Sequence, residues 1–129
     1  MENFEKKVLL SIKPEFVEKI FAGTKKYEFR KSLFKKSGIK YVIIYASTPI
    51  QRVVGEFEID EILTDEVEII WNKTKEYSGI TEEFYKSYFH NKKKANAIKI
   101  GRINKYEKAK TLSEYNIRLA PQSFCYVTE

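Results

Sequence analysis

Lys25, Glu28 and Arg30 place an ammonium, a carboxylate and a guanidinium within six consecutive residues. The two-residue step from Glu28 to Arg30 puts both on one face of an extended strand, because side chains there alternate with period two. Lys25 can meet a phosphate or polarise a carbonyl oxygen. Glu28 can accept from a base amino group or act as a general base, and Arg30 can pair with Glu28 or with a phosphate. If the chain is an enzyme, Lys25 and Glu28 are its candidate catalytic pair. The plainer alternative is an ion pair of Glu28 with Arg30 or Lys25 that only orders the fold.

Other polar groups can border the same place. Ser11 and Lys13 end a first apolar stretch. Ser47 and Thr48 offer hydroxyls to a phosphate or base edge, or simply cap a turn before Pro49. Gln122 and Ser123 carry donors and acceptors suited to a base edge, or stitch a turn before the last strand. His90, the only histidine, follows an aromatic helix, where a cation is welcome for electrostatic reasons alone. Lys92, Lys93 and Lys94 beyond it are a second phosphate contact or a solvated loop. Cys125 sits in an apolar strand with no histidine near it in sequence and reads as inert core. With one His, one Cys and dispersed acids, no metal-ligand constellation exists, and neither a metal nor a cofactor is expected.

The charge is local. Of 24 basic and 18 acidic residues, seven bases (Lys25, Lys26, Arg30, Lys31, Lys35, Lys36, Lys40) and one acid, Glu28, fall within residues 24–40. The remaining 17 bases and 17 acids cancel. A block of this kind suits a polyanion, most often nucleic acid, or is a lysine-rich solvated loop. The acidic run Glu56, Glu58, Asp60, Glu61, Asp65, Glu66 and Glu68 is expected to face solvent, away from any phosphate.

The elements that must hold these groups follow from periodicity. Residues 8–12 are β-branched and apolar, a strand. Pro14 suits a first helical turn, Phe16, Val17, Ile20 and Phe21 recur at helical spacing, and Gly23 stops the helix. Residues 27–31 alternate as a strand with one face on the core, 35–38 form a loop, and 41–46 form a fully buried strand. Residues 52–63 read as a long strand whose alternation slips at Gly55, a bulge. Residues 67–71 extend it or begin a helix. Thr81 caps a helix over 82–90, 95–103 alternate as a strand, 112–117 hold a turn of helix, and 124–127 form a closing strand. The order β-α-β-β-β-α-β-β predicts an α+β class, a small and mostly antiparallel barrel with helices beside it. A chain of 129 residues with 43% hydrophobic content is expected to form one domain over residues 1–129. No apolar run approaches the roughly 20 residues of a membrane helix, no secretory h-region follows Met1, and a lone cysteine fits a reducing compartment. A cytoplasmic protein with no membrane partner is therefore expected.

Ser11-Ile-Lys-Pro14, the helix after it, and Gly23-Thr-Lys-Lys-Tyr-Glu-Phe-Arg30 resemble the ASCH domain of the PUA-like superfamily, marked by Gly-x-Lys-x-x-Glu-x-Arg after the first helix. The likeness extends through Tyr45-Ala-Ser-Thr-Pro49, Gly55-Glu-Phe57, Tyr77-Ser-Gly-Ile80, Tyr88-Phe89, Ala95-Asn-Ala-Ile98 and Pro121-Gln-Ser-Phe124, as in the stand-alone bacterial and archaeal members. It implies a pseudo-β-barrel with two or three short helices and a cleft along the motif. It also implies a module that binds RNA or a modified nucleotide, with a regulatory role, through Ser11, Lys13, Lys25, Lys26, Glu28, Arg30, Lys31, Lys35, Lys36, Ser47, Thr48, Gln122 and Ser123. An alternative from the same resemblance is an amidohydrolase acting on N4-acetylcytidine-like nucleosides. Those enzymes resemble Gly-x-Lys-x-x-Thr-x-Arg here, with a catalytic Thr where this chain has Glu28, and Glu82 or Glu83 are the candidates for their catalytic Glu. A ribonuclease built on Lys25, Glu28 and Arg30 is the third reading, and a purely structural or protein-partner role the fourth.

Overall fold

Alternation along the first strand decides the architecture: Val8, Leu10 and Ile12 enter one apolar cluster and Leu9 another, so β1 (Lys6–Ile12) is covered on both faces. The structure, a computed structural model, describes residues 6–127. After β1 come α1 (Pro14–Ala22), β2 (Tyr27–Arg30), β3 (Ile39–Ala46) and β4 (Arg52–Glu66). Then follow α2 (Val67–Thr74), a 3-10 turn (Lys75–Tyr77), α3 (Glu82–Tyr88), β5 (Lys94–Lys110), a second 3-10 turn (Leu112–Tyr115) and β6 (Phe124–Val127). The class is α+β, as the sequence predicts.

The six strands form one sheet in the order β2-β5-β4-β3-β1-β6. Neighbours are antiparallel except β1 and β3, which run parallel with Val8 opposite Val42 and Leu10 opposite Ile44. The expected barrel is not closed. β2 and β6 are the two edges, and β2, only four residues long, makes its ladder with β5. A side chain spans the gap instead: Arg30 on β2 donates through Nη2 to the Ser11 carbonyl of β1 at 2.8 Å and through Nη1 to the Ser123 carbonyl beside β6 at 3.3 Å.

Three apolar clusters hold the sheet. The first packs α1, through Val17 and Ile20, on Val8, Leu10, Ile12, Val42, Ile44, Phe57 and Ile98. The second joins Phe29, Ala95 and Ala97 to Ile70, Trp71, Tyr85 and Phe89 of the two later helices and the turn after them. The third covers Leu9, Ile43 and Tyr45 with Leu112, Tyr115 and Ile117.

Several boundaries differ from expectation for local reasons. Residues 67–71 are helical, because Ile70, Trp71 and Thr74 then share a buried side and the Thr74 hydroxyl donates to the Ile70 carbonyl at 2.8 Å. The strand expected over 27–31 ends one residue earlier, at Arg30, where the Asn96 side-chain amide donates to the carbonyls of Arg30 and Lys31. β5 runs on to Lys110 because it keeps pairing with β4 as far as Val53. α3 stops at Tyr88, and Asn91 takes a left-handed φ of 63°. The slip at Gly55 is real: register shifts on both neighbouring strands there, and a Cβ would stand 2.7 Å from the Asn104 carbonyl oxygen. In the acidic run, Glu58, Asp60, Glu61, Glu66 and Glu68 are exposed. Asp65 is half-buried, accepting from the Glu66 amide, and Glu56 is turned inward to pair with Lys7 at 3.3 Å and to accept from the Tyr106 hydroxyl at 2.7 Å. Among the described residues no helix is long and apolar enough to cross a membrane, and no three His, Cys, Asp or Glu side chains gather as for a metal.

Candidate functional site

A cleft of about 280 Å³ opens where the end of β1, α1, β2 and α3 converge. Ser11 and Lys13 border it from β1 and the joint to α1, Phe16 from α1, and Glu28, Phe29 and Arg30 from β2. Ile80, Phe84 and Tyr88 wall the opposite side, and Gln122 stands at the C-terminal edge. Lys25 reaches in because Gly23, with φ +83°, turns the chain back on α1 and its amide bonds to the Ile20 carbonyl.

Glu28 and Arg30 share one strand face, as their spacing requires, and that face is the cleft floor and not open solvent. Both are buried. Arg30 bonds through Nε to Glu28 Oε2 at 3.1 Å, and Nη2 stands 3.0 Å from the same oxygen. With Nη1 and Nη2 also on the Ser123 and Ser11 carbonyls, each guanidinium nitrogen has a protein acceptor. The arginine therefore clasps the two sheet edges and fixes the carboxylate, while Glu28 Oε1 has no protein partner among the described residues.

Lys25 is 2% exposed, although it belongs to the basic block. Its ammonium donates to the Ser78 carbonyl at 2.7 Å and lies over the rings of Phe16 and Phe29, 5.2 and 5.0 Å from their centroids. Burial pulls its pKa down to about 8; the Glu28 carboxylate opposes that, and the charges of Lys19 and Arg30 reinforce it. Its stem packs on Gly79, whose φ is +70° and where a Cβ would stand 2.5 Å from Lys25 Cβ. The turn around Gly79 is strapped down by donors to three successive carbonyls: the Lys26 amide to Tyr77, the Lys25 ammonium to Ser78 and the Lys19 ammonium to Gly79.

Of the residues singled out in sequence, Ser11, Lys13, Lys25, Glu28, Arg30 and Gln122 line the cleft. The Ser11 hydroxyl donates to the Pro121 carbonyl at 2.8 Å. Ser123 lies outside the lining and contributes its carbonyl to Arg30. Ser47 and Thr48 sit in the turn after β3, away from the cleft, where the Ser47 amide donates to the Ile12 carbonyl. Lys26, Lys31, Lys35 and Lys36 are exposed and outside the lining. Lys26 lies over Tyr77, Lys31 over Tyr88 and Lys36 over Tyr126, whose hydroxyl accepts from the Lys35 and Lys36 amides. The surface part of the basic block is thus five lysines and not seven bases, since β2 buries Arg30 and the strap buries Lys25. His90, Glu82 and Glu83 are exposed and outside the lining, and Glu82 is paired with Lys86 at 2.9 Å. Cys125 is half-buried, with its thiol pKa raised by burial.

Sequence reasoning misses the aromatic wall. Phe84 and Tyr88 read as one core stripe with Tyr85 and Phe89, yet only the latter two are buried. The available signal was redundancy: two adjacent i, i+4 pairs are more than one buried face of a seven-residue helix needs.

Several known proteins are similar to this chain in sequence or in fold. A solved structure of ASCH from Zymomonas mobilis superposes with a TM-score of 0.82 at 25% identity, covering 94% of this chain and 87% of that one. An ASCH domain-containing ribonuclease of Zymomonas mobilis is 29% identical over 93 residues, 72% of this chain and 63% of that protein. Two Ureaplasma parvum proteins match nearly the whole chain within much longer ones. One is named ATP synthase subunit alpha (32% identical, 93% of this chain, 15% of that protein). The other is named large ribosomal subunit protein uL22 (28% identical, 98% of this chain, 40% of that protein). This chain thus spans well under two thirds of both. Residues 10–104, which run from the end of β1 through β2, β3, β4 and α3 and hold the motif and most of the cleft, match the ASCH domain, and the chain belongs to that family.

Proposed function

We propose that this protein binds RNA by seating one base in the cleft. The observation that carries the reading is the contrast between walls and floor. Phe16, Ile80, Phe84 and Tyr88 offer apolar and aromatic faces, while the floor holds the Lys25 ammonium and the Glu28 carboxylate. At about 280 Å³ the space lies at the small end for ligand pockets, which begin near about 300 Å³. A phosphate on that floor would lie against Glu28. A base edge meets no such repulsion: its amino group can donate to Oε1 and its carbonyl or ring nitrogen can accept from Lys25, while its faces stack on the rings. The exposed lysines Lys26, Lys31, Lys35 and Lys36 then serve the backbone. A modified base, such as an N4-acylated cytosine, is a finer version of the same occupancy.

The test is the affinity of single-stranded RNA for the protein and for Phe84→Ala and Tyr88→Ala. Loss of one stacking partner weakens binding by about 1–3 kcal/mol. Unchanged affinity in both variants, and in Glu28→Gln, would remove the base from the cleft.

A second reading, ribonuclease, is favoured by one observation besides the relative's name: Lys25, with a pKa near 8, shares the floor with Glu28, so proton donor and acceptor face one space. The acyl-hydrolase reading finds no threonine in the lining; the Thr24 hydroxyl is turned to the Lys19 carbonyl instead. One mass-spectrometric experiment separates them, using an RNA that carries N4-acetylcytidine. Unchanged masses leave binding as the activity, chain fragments lost with Lys25→Ala make it a ribonuclease, and loss of the acetyl mass makes it an amidohydrolase.

A further inference from the structure

We infer that the cleft takes an internal nucleotide of a single strand, with the phosphates on its two sides held by Lys13 and Lys31. This rests on the reading that a base occupies the cleft. Lys13 and Lys31 follow the ends of two different strands, β1 and β2, and reach different rings of one aromatic pair. The Lys13 ammonium lies 5.1 Å from the centroid of Phe84 and the Lys31 ammonium 4.7 Å from that of Tyr88. Those two rings are one helical turn apart on α3, tilted only 11° from parallel, with centroids 6.5 Å apart. Each ring of the aromatic pair is thus reached by its own ammonium, so a base that displaces either one from a ring face leaves both cations beside it.

Both lysines are exposed, and neither has an ion-pair partner among the described residues, whereas Lys7, Lys86 and Lys99 each hold a carboxylate. Their charges are therefore not compensated by a neighbouring carboxylate, whereas Glu28 on the floor is already paired with Arg30. A mononucleotide with one phosphate engages one of these cations and leaves the other idle. A nucleotide with phosphates on both its 5′ and 3′ oxygens engages both, and that is the condition of every nucleotide inside a strand. Seating in a cleft also requires the base to be out of a helical stack, which an unpaired strand permits without the cost of opening base pairs.

The test uses a labelled single-stranded RNA of about fifteen nucleotides, long enough for a site of the usual extent. It is displaced by nucleoside 3′,5′-bisphosphates pooled over the four bases, or by the corresponding 5′- or 3′-monophosphates. Each added phosphate contact is expected to improve competition about five-fold. Lys13→Gln abolishes the gain from one phosphate and Lys31→Gln the gain from the other. Bisphosphates no better than monophosphates, or both variants losing the same phosphate, overturn the inference and leave RNA binding standing. Failure of the RNA itself to bind overturns both.

Discussion

Lys25→Met keeps most of the stem that packs on Gly79 and removes the ammonium from the cleft floor. In the folded chain Lys25 gives up its proton at about 8, against 10.5 when unfolded, chiefly because it is buried. Below about pH 8 both states carry the proton, and above about 10.5 neither does. Between the two, the unfolded chain holds a proton that the folded chain has released, so stability rises with pH across that window. At about 1.4 kcal/mol per pH unit, the separation of 10.5 from about 8 amounts to a rise of about 3 kcal/mol. The variant lacks this rise. Urea unfolding followed by circular dichroism, at steps from about pH 7 to about pH 11, gives the stability of each protein, and subtraction cancels the titrations they share, among them the other lysines and Cys125. A difference that climbs by about 3 kcal/mol over the window agrees with a lysine held charged in an apolar setting. Two curves that stay parallel would show that the ammonium is well hydrated in solution and refute the burial on which the cleft chemistry depends.

Arg30→Lys keeps the charge but loses the fork that reaches Glu28, Ser11 and Ser123 together, and should cost about 1.5–3 kcal/mol in urea unfolding for a charge-assisted hydrogen bond left unmade; a cost under about 1 kcal/mol would deny the clasp. Gly79→Ala combines a positive φ with a Cβ on top of Lys25, so a loss of about 1–3 kcal/mol is expected, with full stability as the refuting result. Changing Lys35 and Lys36 together to Glu should flatten the dependence of RNA affinity on salt by about two phosphate contacts, and an unaltered slope would place the backbone elsewhere.

Most of the strands were legible because their burial is simple. Residues 41–46 are aliphatic or aromatic without a break and 42–46 are buried; in residues 8–12 only Ser11 is polar and the other four are buried. The motif was legible as three charges on one side of a Gly turn, and spacing alone put Glu28 beside Arg30. What spacing could not supply was depth. Nothing local says that Lys25 is sealed, since the Ser78 carbonyl and Gly79 that seal it lie more than fifty residues on. Nor does it say that Arg30 finds acceptors at the end of β1 and beside β6, which turns a candidate phosphate ligand into a clasp across the gap of the open sheet. The aromatic wall was hidden for the same reason: which of the two i, i+4 pairs on α3 is buried depends on where β2 lies, and that is a tertiary fact.

The pairing of β1 with β6 reaches beyond the cleft. Lys7 stands opposite Val127, so the chain enters and leaves the described fold at neighbouring points on adjacent strands. A unit joined that way can sit within a longer polypeptide, including at a surface loop, with little demand on the host's geometry, because the two connections need span only one strand spacing. The matches lying within much longer Ureaplasma proteins accord with such portability. The same geometry makes the seam weak under tension. Pulling on both ends loads the four residue pairs from Lys7 with Val127 to Leu10 with Phe124 one after another, as a zipper, so β6 should peel away before the rest of the sheet yields.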